Sequence, residues 1–161
     1  MKPSEGVSAK PLRWPDRLAR PNAFSRLLWG VPFLGPDARA YSSFRKQVGS
    51  RSPSCLSEWR NDTRLLEIRD EIAKILVREM EWPSPFFLPE DPCSILFFDP
   101  TVDIKSGVAL FEVESLLCGK YPAEQIVKMT FGELVELVRV AREDRVSPVK
   151  PVRGEGRMIP V

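Results

Sequence analysis

The sequence predicts an all-α fold: a small helical bundle over residues 57–145, with an extended, basic, proline-rich arm at 1–56 and a flexible tail at 146–161. Three observations predict it. From Asp62 onward apolar residues recur at three- and four-residue spacing, the period of an amphipathic helix. The last periodic stretch opens with Thr130-Phe131-Gly132-Glu133, a helix N-terminal signature. Seven of the 16 prolines lie in the first sixty residues: Pro3, Pro11, Pro15, Pro21, Pro32, Pro36 and Pro53. Each fixes φ and removes a backbone donor, so no long helix or central strand runs through Pro3–Pro36.

The arm is rich in serine, arginine and proline, the composition of a partly disordered segment. One island in it, Ala23-Phe24-Ser25-Arg26-Leu27-Leu28-Trp29-Gly30-Val31-Pro32-Phe33-Leu34, is apolar enough to dock. The island is too short and interrupted to cross a membrane, and the basic start lacks the apolar run of a secretory signal. Glu5, Asp16 and the prolines also spoil the amphipathic helix of a mitochondrial transit peptide. A cytoplasmic location is therefore expected.

The first main helix has Leu65, Ile68, Ile72, Ile75, Leu76 and Met80 on one side and Glu67, Arg69, Asp70, Lys74 and Arg78 on the other. Its start lies among the possible caps Ser57, Asn61, Asp62 and Thr63, residue types whose side-chain oxygens accept from free helix N–H groups. It stops near Trp82, because Pro83 and Pro85 follow and a residue before proline avoids helical angles. The long loop from Pro83 to Val102 carries Phe86, Phe87, Leu88, Ile95, Leu96, Phe97 and Phe98. So apolar a loop must enter the core, as an extended segment or a short turn of helix.

A second helix fits Asp103–Cys118, with Val108, Phe111, Leu116 and Leu117 as its core face and Gly119 as its left-handed stop. Pro122 suits the first turn of a short third helix through Lys128. In the last helix Thr130 caps, Glu133 reaches back, and Met129 and Leu134 take the two positions of a hydrophobic staple.

Charge is segregated along the chain. Residues 1–60 hold 11 Lys+Arg against 4 Asp+Glu, a net of +7, whereas residues 61–145 hold 10 against 17, a net of −7. Two such halves attract each other or attract different partners. The chain has no histidine, which excludes Ser-His-Asp and Cys-His catalysis and histidine metal ligands. Cys55, Cys93 and Cys118 are far apart with no CxxC. That excludes a cysteine zinc site and suits a reducing compartment. Cys93 and Cys118 read as small buried hydrophobes. Glu90, Asp91, Asp99 and Asp103 could do acid–base work only if buried together; as loop acids they read as caps or solvated groups. No catalytic and no metal-binding residue is expected.

The order of elements (long helix, long apolar loop, helix, short helix, capped helix) resembles that of acyl carrier proteins over residues 62–143. Val108-Ala109-Leu110-Phe111-Glu112-Val113-Glu114-Ser115-Leu116-Leu117 looks like the acidic second helix of a carrier. Met129-Thr130-Phe131-Gly132-Glu133-Leu134-Val135 is similar to the opening of a carrier's last helix, and Pro89-Glu90-Asp91 to the acidic turn that begins its first loop. The resemblance implies a phosphopantetheine arm on the serine of an Asp-Ser-Leu motif, and that motif is absent. Asp103 falls at or near the serine's place. Ser106 is the nearest hydroxyl, and Gly107 rather than leucine follows it.

The leading expectation is thus a non-catalytic, carrier-like interaction module with no cofactor. It would offer the Asp103–Cys118 helix to an unknown protein partner, through Asp103, Glu112 and Glu114 and the arm's Trp29, Phe33 and Leu34. The first alternative is a genuine acyl or peptidyl carrier, with phosphopantetheine on Ser106. The second is a nucleic-acid-binding adaptor, because Arg13, Trp14, Arg17, Arg20, Arg26, Trp29, Arg39, Arg45, Lys46 and Arg51 interleave cations with aromatics.

Overall fold

The computed structural model describes residues 9–14, 36–59, 62–100 and 103–146. Their order is α1 (Pro36–Gly49), a 3₁₀ turn (Pro53–Glu58), α2 (Thr63–Glu79), α3 (Cys93–Leu96), α4 (Asp103–Leu116), α5 (Ala123–Ile126) and α6 (Phe131–Val146). The described residues contain no strand, only an isolated bridge between Pro92 and Thr130. The fold is all-α, as predicted. Helix α2 is its centre, packed against both α4 and α6.

Helix α2 takes Asp62 as its cap. Its Oδ1 accepts from the backbone N–H of Arg64 at 2.9 Å and of Leu65 at 3.5 Å. The helix ends at Glu79, a few residues before the predicted stop, because Glu81 swings to a φ of 56° ahead of Pro83. Ile68, Ile72, Ile75, Leu76 and Met80 are buried as their spacing predicts. Arg69 departs from the prediction. It is buried beneath the Trp59 ring, 6.0 Å from the centroid, rather than solvated on the polar side.

Helix α1 is the element that the sequence reading placed in the arm. Ala40, Phe44 and Val48 recur every four residues and are fully buried in the core, together with Leu12. Tyr41 donates its hydroxyl proton to the Met80 carbonyl at 3.0 Å, and Ser84 donates to the Val48 carbonyl at 3.0 Å. The folded unit therefore extends into the region expected to be arm. The island at 23–34 lies outside the described residues.

The long loop enters the core as expected. Phe87, Leu88, Ile95, Leu96 and Phe97 are buried, and the short turn of helix is α3. Aromatic rings run through this region edge to face. Trp59 and Phe87 each stand 5.5 Å from Phe131, and Trp82 stands 6.1 Å from Phe87. Both buried indoles are satisfied: Trp59 donates to the Phe87 carbonyl at 3.0 Å and Trp82 to the Leu96 carbonyl at 2.9 Å.

The loop is clamped to the start of α6 by backbone bonds. Phe131 N–H donates to the Asp91 carbonyl at 2.8 Å, Gly132 N–H to the Pro89 carbonyl at 2.8 Å, and Cys93 N–H to the Met129 carbonyl at 2.9 Å. So close an approach explains Gly132: a Cβ there would meet Pro89 at 3.1 Å. The capping box stands at the same place. Glu133 Oε2 accepts from Thr130 N–H at 2.7 Å, and Thr130 Oγ1 accepts from Glu133 N–H at 3.3 Å. Thr130→Ala is expected to cost about 1 kcal/mol. An unchanged unfolding midpoint in denaturant would show that this cap does not hold the helix.

Candidate interaction surface

Helix α4 is apolar on two sides, and only one of them is covered. Ala109, Val113 and Leu117 are fully buried at four-residue spacing, and they bind the helix to the core. Ile104, Val108 and Phe111 occupy the outer side, where they are 70%, 40% and 69% exposed. This corrects the sequence reading, which placed Val108 and Phe111 on the core face. A helix turns about 100° per residue, so a run of apolar residues leaves the choice of buried face open. The small Ala109 lets α4 lie close to its neighbours, and the larger Phe111 is left outside.

The ends of α4 are fixed by charge and backbone geometry. Near its start, Lys105 Nζ stands 2.8 Å from Glu81 Oε1 at the end of α2. The Lys105 ammonium, first by hydrogen bonding and then by charge, holds the Glu81 carboxyl below its usual range. Glu112 is half-buried and paired with Arg78 of α2, so this expected partner contact also ties two helices together. Glu114 is half-buried, and its carbonyl accepts the Gly119 N–H at 2.9 Å. The chain leaves the helix through two left-handed residues, Cys118 at φ 59° and Gly119 at φ 66°. Ser106 is half-buried on the first turns of α4. The side chain of Asp103 and all of Trp29, Phe33 and Leu34 lie outside the described residues.

The loop acids weighed for acid–base chemistry are not gathered into one site. Asp91 is fully buried, and every partner it has is structural. Its Oδ1 accepts from Leu12 N–H at 2.9 Å and Arg51 Nη2 at 2.8 Å; its Oδ2 accepts from Leu88 N–H at 2.8 Å and Arg51 Nη1 at 2.5 Å. Arg51 also donates to the carbonyls of Phe86 and Lys10. A carboxylate filled on both oxygens by charge-assisted bonds has no lone pair turned to a substrate. Asp99 instead lies in a small surface recess beside Tyr41, Arg45 and Lys105, while Glu90 lines a different cleft. Among the described residues no group of three or more His, Cys, Asp and Glu is placed to hold a metal ion.

The same geometry reduces the basic set expected to grip nucleic acid. Arg51 is committed to Asp91, and Trp14 stands edge-on to both Phe44 and Phe98 at 5.1 Å. No described helix is long and apolar enough to cross a membrane. Neither protein-family models nor curated proteins nor solved structures give a match to this chain.

The cysteines divide differently from the expectation. Cys93 is buried as predicted, and burial, with smaller contributions from Glu133 and Asp91, pushes its thiol up to about 12. Cys118 is exposed, its sulfur 2.7 Å from Arg145 Nε. Burial of Cys118 was the error: the left-handed turn at 118–119 carries the side chain off the core face. The thiolate is the form that alkylates. Iodoacetamide at pH 8 is therefore expected to modify Cys118 in the native protein and Cys93 only on unfolding, as read by peptide mass mapping. Equal native labelling of both would contradict this burial pattern.

Proposed function

We propose that the chain is a non-catalytic, carrier-like interaction module that presents the outer face of α4 to a protein partner. One observation carries the reading: Ile104, Val108 and Phe111 form an exposed apolar row on a helix whose opposite face is locked in the core. Isolated exposed apolar residues are ordinary, but a contiguous row on a rigid element is the form of a docking site. Rigidity matters because a preformed face loses little conformational freedom on binding. The half-buried acids Glu112 and Glu114 beside the row favour a partner that carries cations around an apolar patch. A cytoplasmic setting is part of the proposal, since three unpaired cysteines suit a reducing compartment.

The experiment that separates this module from a working carrier is intact mass. The chain is incubated with coenzyme A and a phosphopantetheinyl transferase, then weighed. The module reading expects no added mass. A gain of one phosphopantetheine group, lost in Ser106→Ala, would overturn it and make the protein a carrier with an atypical attachment site.

A further inference from the structure

The buried pair of Arg51 and Asp91 holds the main chain of a segment, residues 9–14, that belongs to no helix and no strand. The two side chains are 3% and 0% exposed, so their bonds form away from water. Arg51 Nη2 donates to the Lys10 carbonyl at 2.9 Å, and Asp91 Oδ1 accepts from the Leu12 N–H at 2.9 Å. Beside these bonds Leu12 is buried in the core cluster, and the exposed Trp14 stands edge-on to Phe44 and Phe98. Main-chain bonds that give affinity, with seats for alternate side chains that give specificity, are the means by which extended peptides are recognised.

The seat keeps its order without the segment. Asp91 still has Arg51 on both oxygens and the Leu88 N–H, and Arg51 still has the Phe86 carbonyl. The segment takes up one remaining lone pair of Oδ1 and one remaining hydrogen of Nη2. Its own sequence prepares it for the seat. Lys10 and Trp14 each precede a proline, which biases both towards extended angles. Pro11, between the two bonded residues, has a fixed φ and no N–H that needs an acceptor. A segment so restricted loses little freedom when it docks.

We propose that the Arg51–Asp91 seat is a peptide-recognition site, filled in this chain by its own residues 10–14, and that its ligand is an extended segment of the pattern Pro-Leu-x-Trp. Attachment in the same chain supplies an effective concentration in the millimolar range. A separate peptide therefore enters readily only when the chain's own segment has left. This inference is independent of the proposed role of α4, which uses none of these residues.

The test uses the full 161-residue chain, wild type and Leu12→Asp, with a fluorescein-labelled synthetic peptide of sequence 9–16. An aspartate at position 12 would place a carboxylate among apolar core residues, so it unseats the chain's own segment. Fluorescence anisotropy is expected to show the Leu12→Asp chain binding the peptide at least about tenfold more tightly than wild type, because a site that is mostly occupied binds more weakly in proportion to its open fraction. The peptide carrying Leu12→Asp is expected to bind neither chain. If the variant chain loses its fold, the unsubstituted peptide should raise its urea midpoint, since a ligand of the folded state stabilises it. Equal or weaker binding by the variant would overturn the proposal, and so would binding of the Leu12→Asp peptide. A peptide that neither binds the variant nor raises its midpoint would overturn it as well, because residues 10–14 would then be a fixed part of the core.

Discussion

Asp91→Ala is expected to lower the free energy of unfolding by about 3–5 kcal/mol, the usual cost of removing one partner from a buried ion pair. The size follows from what would be left behind. Arg51 is buried with Asp91 and takes both carboxylate oxygens. Without Asp91 a guanidinium would stay in the interior with only carbonyls to face, and the N–H groups of Leu12 and Leu88 would lose their acceptor. The pair also joins three separate stretches of chain: residues 10–12, the end of the α1 region and the loop at 86–91. A domain has only about 5–15 kcal/mol in all, so this substitution should bring the protein near the edge of folding. Arg51→Met/Asp91→Leu, which removes both charges, should recover part of the loss. Urea denaturation of the singles and the double measures this. A single-variant loss below about 1 kcal/mol, the range of exposed pairs, would contradict a buried latch.

Phe131→Ala should have a loss of similar size, about 3–5 kcal/mol, by removing a large fully buried side chain and leaving a cavity. Phe131 is the first residue of α6 and the meeting point of Trp59 and Phe87, each edge-on at 5.5 Å. Edge-to-face pairs add about 0.5–1.5 kcal/mol beyond burial, so Phe131→Leu, which restores volume without the ring, should fall between wild type and alanine. Near-ultraviolet circular dichroism should weaken as well, since two of the aromatic contacts disappear. Equal stability of the leucine variant and wild type would mean that volume alone matters there.

The sequence made some elements legible for clear physical reasons. Helix α2 could be read because five of its apolar residues fall on one side at full size. The start of α6 could be read because Thr130 and Glu133 bond each other locally, and local chemistry needs no knowledge of the rest of the chain. Helix α1 was hidden because it buries only one residue per turn, Ala40, Phe44 and Val48, among serines and arginines that look like linker. Its burial depends on Leu12, Trp82 and the loop, contacts that no local window contains. Arg51 and Asp91 were opaque for the same reason: forty residues apart, each looks like a solvated charge until the fold joins them. At α4 the sequence showed that the helix was apolar but not which side faced the core, and that choice decides where a surface exists. The periodicity of Val108 and Phe111 is as good as that of Ala109 and Val113. The smaller pair lies inside because it allows closer packing against α2.

The central claim is that the outer face of α4 serves binding and not folding, and Phe111→Asp tests it most directly. The measurement is affinity capture on wild-type and Phe111→Asp baits, with urea midpoints taken on both. A surface substitution away from the core changes stability by no more than about 0.5 kcal/mol, so the midpoints should agree, while a partner held by the wild type should be lost from the variant. The same proteins retained by both baits would contradict the account. A fall of several kcal/mol in the variant would contradict it equally, because Phe111 would then be covered by its own chain.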